Sequence, residues 1–242
     1  MRITLYQQDI TWLDTADNWQ KIEQVLSVSA ETDLLVVPEM CTSGFVTNPE
    51  SEQVEESSDV EQRLLILSKK YNKAIVGSFA VRTDKQYNRC YFATPEGELH
   101  YYDKHHLFRP GMEHKGYIPG ETAKVVCWHG IRFMLCVCYD LRFPAWLRYR
   151  ENMEYDILIC VANWPMQRQL AWNVLLRARA IENQVYCIGV NRVGKDDLCE
   201  YIGGSCAIHP YGHPVAECTD ASEGLCTFEP DMEKLYSFGY VS

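Results

Sequence analysis

The sequence lacks the features of several large protein classes. It has no run of Lys or Arg long enough to follow a phosphate backbone or an anionic membrane surface, and its net charge is -10. It has no stretch of about 18 apolar residues, the length that a membrane-spanning helix needs. We therefore expect neither nucleic acid nor a membrane as a partner.

The motifs of common metal sites and disulfide frameworks are also missing. There is no HExxH and no CxxC segment, and the neighbours His105–His106 and Cys136–Cys138 have no second ligand pair at a suitable spacing, so we predict no metal and no cofactor. The eleven cysteines lie mainly in apolar, strand-like segments, which is typical of reduced thiols. The opening segment MRITLYQQDITW has no apolar signal core, so we expect a cytoplasmic protein.

The remaining composition is that of a globular chain. Of its 242 residues, 47% are hydrophobic and 23% charged, enough for a substantial core in one domain spanning 1–242. Strand-like segments alternate with amphipathic ones, which predicts an α/β fold with one mixed sheet or two stacked sheets covered by helices. The predicted strands are 2–9, 33–40, 73–81, 131–138 and 155–164, with a hairpin over 87–102, helices over 18–26, 59–72 and 167–183, another beginning near Pro144, and a solvated loop over 48–59.

Three strand-like segments end at a reactive side chain, namely Glu39, Lys104 and Cys138. Catalytic groups collect where strands end, so these three are candidate active-site residues. A helix beginning after Cys138 would favour a thiolate there. Each residue also has a plainer interpretation: a small buried hydrophobe for the thiol, a solvated loop carboxylate for the acid, and a surface lysine paired with Asp103. A Cys–His dyad is conceivable but has no local signature.

Four segments in order identify a family: PEMCTSGF, YYDKHHLFRPGMEH, CVCYDLRFP and ICVANWP resemble the nitrilase, or carbon-nitrogen hydrolase, superfamily. Together with RARAIENQVYCIGVNRVG they look most similar to bacterial omega-amidases, which hydrolyse the terminal amide of 2-oxoglutaramate and similar 2-oxo acid amides. Cys41 departs from the pattern, because an aromatic or apolar residue is expected beside the base. A changed pocket shape is its expected consequence.

The resemblance implies a four-layer αββα sandwich of two stacked mixed sheets flanked by helices, and a homodimer. It makes Glu39 the general base and acid, Lys104 the electrostatic partner and Cys138 the nucleophile of a thioester mechanism. Glu113 matches a supporting glutamate, with a loop carboxylate as the alternative. Lys104 and the backbone N–H of Tyr139 would stabilise the oxyanion.

The resemblance also suggests how a substrate would be held. In related N-carbamoyl amino acid hydrolases an arginine at the position of Arg142 binds the substrate carboxylate; a salt bridge with Asp140 is the alternative. Asn163 and Trp164 are the other implied substrate-binding residues.

Other functions and the state of assembly stay open at this point. An N-carbamoyl amino acid hydrolase, an amidase for a modified peptide and a non-catalytic binding module are alternative functions. The apolar and aromatic segment 234–241 is unusual for a free tail, which favours dimer packing over packing on its own core.

Overall fold

The computed structural model describes residues 1–48, 50–219 and 221–237. Its strands are β1 (Ile3–Gln7), β2 (Leu34–Val36), β3 (Glu55–Glu56), β4 (Ala74–Arg82), β5 (Gln86–Ala93), β6 (Leu99–Asp103), β7 (Val125–Trp128), β8 (Ile131–Val137), β9 (Ile157–Ala162), β10 (Tyr186–Asn191), β11 (Val193–Lys195), β12 (Glu200–Ile202), β13 (Cys206–Ile208), β14 (Pro214–Glu217) and β15 (Gly224–Phe228). The α-helices are α1 (Thr15–Val28), α2 (Ser57–Tyr71), α3 (Pro144–Leu147), α4 (Gln169–Asn183) and α5 (Met232–Ser237). Short 3₁₀ helices cover Arg109–Gly111, Glu113–Lys115, Cys138–Arg142 and Met166–Arg168.

Two mixed sheets form the centre of the molecule. The first has the order β15-β1-β2-β4-β5-β6, with β3 beside β4, and the second has the order β14-β13-β10-β9-β8-β7. The parallel pairs β1·β2, β2·β4, β8·β9 and β9·β10 lie in their interiors. Of these strands, β1, β2, β9 and β10 are buried at every position, as expected for continuous apolar segments covered on both faces.

The helices cover the outer faces of the sheets. Apolar residues of α1 and α2, such as Trp19 and Leu64, pack with Val37 and Phe79 on the outer face of the first sheet. Trp172 of α4 belongs to the core cluster that includes the second sheet. The inner faces pack directly on each other, and the predicted αββα architecture is confirmed.

Two sequence-based expectations differ from the structure. The segment 48–59 is not a solvated loop throughout, because Val54 is buried and β3 pairs with β4. Glu55 accepts hydrogen bonds from Trp19 Nε1 at 2.9 Å and Thr42 Oγ1 at 2.6 Å, and these donors compensate for burying its carboxylate. In the apolar segment 234–241, residues 238–241 lie outside the described part, and Leu235 packs into the chain's own core.

The segment after β2 is held against β4. The N–H of Val37 donates to Val76 O at 2.8 Å, and the N–H of Cys41 donates to Ser78 O at 3.0 Å. Gly77 permits this close approach, because an added Cβ would lie 2.1 Å from Val37 Cγ2. The carboxylate that follows Pro38 is thereby fixed at the end of the sheet. Within the described ranges, no helix has the length and apolar character needed to cross a membrane.

Candidate active site

Four charged or nucleophilic side chains meet where the strands of both sheets end. Glu39 and Glu113 are fully buried, Lys104 is 1% exposed and Cys138 is 8% exposed. Lys104 Nζ donates to Glu39 Oε1 at 2.8 Å and to Glu113 Oε2 at 2.9 Å. The structure therefore brings together the three residues predicted as a triad and the predicted supporting glutamate.

Lys104 is held as a cation between two carboxylates. Burial alone would lower the pKa of Lys104, but the charges of Glu113 and Glu39 outweigh burial and raise that pKa well above its usual range. The alternative pairing with Asp103 is wrong, because Asp103 accepts hydrogen bonds from Arg89 Nε at 2.6 Å and Nη2 at 2.9 Å. Lys104 therefore points into the site, and Asp103 faces the other way with its own partner.

The second sheet clamps Glu39 through the residue that follows β9. The backbone N–H of Asn163 donates to Glu39 Oε2 at 2.8 Å, and its side-chain Nδ2 donates to Glu39 O at 2.9 Å. Met40, directly after Glu39, has φ of 42°, a left-handed conformation that costs a side-chain-bearing residue roughly 1 kcal/mol or more. The network of donors around Glu39 holds this turn in place.

Sequence reasoning missed Asn88, which joins the two carboxylates. Its Nδ2 donates to Glu39 Oε1 at 2.8 Å and to Glu113 Oε1 at 2.9 Å. The Ser78 hydroxyl donates to Asn88 Oδ1 at 2.8 Å, which fixes the orientation of the amide. Asn88 lies within β5, away from any strand end, so no positional signal in the sequence distinguishes it.

Glu113 is anchored by its own set of donors. Besides Lys104 and Asn88, the backbone N–H of Phe108 donates to its Oε2 at 2.6 Å. Burial raises the pKa of Glu113, and the Lys104 charge opposes that rise. The alternative of a solvated loop carboxylate is wrong, since Glu113 has no exposed surface.

Cys138 begins a 3₁₀ helix directly after β8, with φ of 47°. Its Sγ lies 3.9 Å from Asn163 O. Burial first, and then the negative charge of Glu39, raise the pKa of the thiol well above its usual range, although the Lys104 charge lowers it. These surroundings favour the protonated thiol, against the prediction of a thiolate favoured by a helix terminus.

Asp140 fixes the turn that holds Cys138. It accepts hydrogen bonds from Val137 N at 3.2 Å, Tyr102 Oη at 2.7 Å, and both N and Nδ1 of His106 at 2.8 Å. This saturates the carboxylate, and Arg142 is not among its partners. The predicted alternative of an Arg142–Asp140 salt bridge is wrong.

His105 and His106 have structural surroundings. The His105 ring stacks on Trp146 at 3.7 Å between centroids, and the His106 ring stacks on Phe143 at 3.6 Å. Among the residues that the structure describes, no three His, Cys, Asp or Glu side chains are grouped as metal ligands would be.

A cleft of about 80 Å³ opens over the nucleophile. The predicted substrate-binding residues Tyr139, Arg142, Asn163 and Trp164 line it together with Cys138. The Arg142 guanidinium lies 4.9 Å from the ring centroid of Trp164. The volume of the cleft is well under the roughly 300 Å³ of sites for drug-sized ligands, which favours short substrates.

Two further residues clarify the cleft. Asn191, at the end of β10, accepts a hydrogen bond from Trp164 N at 2.7 Å and donates one to Trp164 O at 3.0 Å. These bonds position the tryptophan. The sequence analysis predicted Trp164 but missed Asn191. Cys41 packs under α1 and α2 in the outer core and does not line the cleft. Cys41 therefore does not shape the cleft by direct contact, contrary to expectation.

Comparison with known proteins identifies the family of the chain. The carbon-nitrogen hydrolase family model matches residues 2–240. The chain is 41% identical to omega-amidase YafV of Escherichia coli K12 over 89% of this chain and 84% of the relative, and 33% identical to 2-oxoglutaramate amidase of Bacillus subtilis over 96% and 91%. The crystal structure of XC1258 from Xanthomonas campestris, a CN-hydrolase superfamily protein with an arsenic adduct in its active site, superposes with a TM-score of 0.92 at 38% identity, covering 98% of this chain and 92% of that one. With a matching family model, close relatives and the same fold, the chain belongs to the carbon-nitrogen hydrolase family and is an amidase.

Proposed function

We propose that the protein is an omega-amidase that hydrolyses the terminal carboxamide of short 2-oxo dicarboxylic acid monoamides, such as 2-oxoglutaramate and 2-oxosuccinamate, through a thioester on Cys138. The observation that supports the chemistry most directly is the buried Glu39–Lys104–Glu113 cluster beside the thiol of Cys138. The products are the 2-oxo acid and ammonia.

In the acylation step, Glu39 takes the proton of the Cys138 thiol as Sγ forms a bond to the amide carbon. The developing oxyanion lies between the Lys104 ammonium and the backbone N–H of Tyr139, and such donors contribute roughly 3 to 4 kcal/mol each in other hydrolases. The C–N bond then breaks, and the proton held by Glu39 passes to the leaving nitrogen, which departs as ammonia. Because burial and the Glu39 charge disfavour a free thiolate, we expect proton transfer to accompany attack.

In the deacylation step, Glu39 removes a proton from a water molecule that attacks the thioester carbon. The Sγ–C bond breaks, the proton returns to the thiolate, and the acid leaves. Glu39 thus transfers one proton in each direction during each half-reaction. Lys104 and Asn88 both donate to Glu39, and Asn88 also donates to Glu113. These bonds hold Glu39 in place for the two proton transfers.

The substrate assignment is supported by the cleft and by two relatives. Arg142 is half-buried within the cleft, and among the described residues no carboxylate lies within ion-pair distance of its guanidinium. A substrate carboxylate could therefore make a bidentate, charge-assisted contact there. The similar proteins from E. coli and B. subtilis are an omega-amidase and a 2-oxoglutaramate amidase.

The alternatives differ in what they require of the same site. An N-carbamoyl amino acid hydrolase would also use Arg142 but would prefer a ureido carbon. A peptide amidase needs a longer cleft than this one. A binding module needs no buried lysine between two glutamates, which is costly to bury without a catalytic use.

We further propose that the protein forms homodimers through α4. Leu170, Val174 and Ile181 are 78%, 54% and 52% exposed and lie on one face of that helix, and Tyr211 extends the same apolar surface. Exposed apolar side chains grouped on one helix face are typical of subunit contacts. Small molecules are its other expected partners, with neither nucleic acid nor a membrane.

We propose a reducing compartment such as the cytoplasm. All eleven cysteines lie in the described ranges, and each is a free thiol, the state that a reducing compartment maintains.

The first test concerns the nucleophile. Cys138→Ala should lower ammonia release by about three orders of magnitude or more, because no other thiol replaces the attacking Sγ. The exposed Cys127→Ala variant should retain full activity, and thermal melting should show that both variants fold. Substantial turnover by Cys138→Ala would contradict covalent catalysis.

The second test is the pH profile of kcat/KM. Since the pKa values of Lys104 and Cys138 are both raised, activity should show no alkaline decline below about pH 9. Asn88→Asp adds a third carboxylate beside Glu39 and Glu113, which opposes ionisation of the general base and should move the acid limb up by roughly one pH unit. The exposed Asn173→Asp should leave the profile unchanged; identical profiles for Asn88→Asp and wild type would show that Asn88 only packs.

The third test concerns substrate class. Arg142→Leu should cut kcat/KM on 2-oxoglutaramate about a hundredfold, because a partly desolvated carboxylate loses its cation, and should affect its methyl ester much less. An N-carbamoyl amino acid is the third substrate. A wild-type preference for the carbamoyl compound would reject the omega-amidase proposal while leaving the amidase family intact.

The fourth test concerns assembly. Val174→Glu should shift the protein from dimer to monomer in light scattering at micromolar concentration, because a charge replaces apolar contact on α4. Val28→Glu alters a similarly exposed valine on α1 and serves as the matched control. A wild-type monomer, or a Val174→Glu variant that stays dimeric, would exclude this surface.

A further inference from the structure

A second arginine lines the same cleft as Arg142. Arg168 follows the segment VANWP and precedes α4, and its guanidinium lies 5.0 Å from the ring centroid of Phe108, another cleft residue. Its side chain is exposed, whereas Arg142 is half-buried. Arg142 therefore lies in the inner part of the cleft and Arg168 at its mouth.

Arg168 has no acidic partner among residues 1–48, 50–219 and 221–237. The carboxylate that lines the cleft, Asp196, already accepts hydrogen bonds from the backbone N–H groups of Leu198 and Cys199, both at 2.8 Å, and from Tyr201 Oη at 2.7 Å. Two guanidinium groups thus face a cleft whose one lining carboxylate is engaged. The residues that line the cleft therefore carry an excess of one positive charge, in a protein with a net charge of -10.

One tryptophan couples the two arginines. The face of Trp164 carries the Arg142 guanidinium, and its Nε1 donates to the backbone carbonyl of Arg168 at 2.8 Å. The indole therefore fixes the start of the Arg168 side chain relative to Arg142. Stacking on Phe108 restrains the other end of that side chain and lowers the entropy that an exposed arginine loses on binding.

We propose that Arg168 is a specificity-determining residue: it forms a second cationic contact to the carboxylate of the substrate, which sits between Arg142 inside and Arg168 at the mouth. This rests on the proposed function and extends it to the substrate's remote end. A carboxylate has about four acceptor sites, so it can accept from two guanidinium groups at once. The ligand class is a short amide ending in a carboxylate, with the 2-oxo group beside it.

The test compares substrates of equal chain length on matched variants. Wild type, Arg168→Met, Arg168→Lys and Arg63→Met are assayed with 2-oxoglutaramate, with glutaric acid monoamide, which has the carboxylate without the keto group, and with pentanamide, which has neither. Arg63 is the matched control, because it is also an exposed arginine stacked on an aromatic ring, 4.5 Å from the centroid of Trp19, on α2. The Ki of 2-oxoglutarate reports product binding without catalysis.

Arg168→Met should lower kcat/KM about tenfold on both carboxylate substrates and raise the Ki of 2-oxoglutarate similarly, because a charge-assisted contact is lost. The loss should appear mainly in KM, and the loss on pentanamide should be much smaller. Arg168→Lys should recover part of the loss, Arg63→Met should match wild type, and added salt should reduce the wild-type advantage.

Two failures are distinguishable. Equal losses on pentanamide and on the carboxylate substrates would show that Arg168 only supports the cleft wall, and would overturn this inference alone. No preference of the wild type for carboxylate amides over pentanamide would overturn the proposed function itself.

Discussion

The site depends on one buried ion cluster, in which the Lys104 ammonium is shared by Glu39 and Glu113. Removing one partner from such a cluster leaves a charge unpaired in a water-excluded place, at a cost of roughly 3 to 5 kcal/mol. The carboxylate oxygens of Glu39 and Glu113 therefore accept further hydrogen bonds, from Asn88, Phe108 and Asn163. The same saturation that makes the cluster tolerable also orients Glu39 toward the thiol.

Two sheets are needed to build the active site, because neither sheet supplies all of its residues. The first sheet contributes Glu39, Asn88 and Lys104, and the second contributes Cys138 and the clamp at Asn163. Left-handed backbone at Met40 and Cys138 points the base and the nucleophile inward. Strain of this kind persists only where surrounding bonds hold it, which is why Asp140 saturates the turn behind Cys138.

The sequence predicts features that depend on neighbouring residues, such as strands and their ends. It does not predict hydrogen bonds between side chains that are distant in the chain. Alternating apolar segments predicted an α/β fold with one sheet or two, and the resemblance to the nitrilase superfamily implied the two stacked sheets. The strand ends at Glu39, Lys104 and Cys138 marked these residues as candidates for one site. Asn88 was not predicted because it lies inside β5, and its hydrogen bonds to Glu39 and Glu113 form only in the folded chain. The predicted thiolate did not anticipate that burial and the neighbouring Glu39 charge raise the pKa of Cys138, because both arise only in the folded chain.

The central claim is that this cluster drives acylation of Cys138. The most direct measurement is the mass of the enzyme quenched in acid during turnover of 2-oxoglutaramate, followed by peptide mapping. We expect an acyl adduct of the substrate minus ammonia on the peptide containing Cys138, absent from Cys138→Ala and accumulating more in a variant with slowed deacylation. Turnover with no adduct at any quench time, or an adduct on another cysteine, would contradict it.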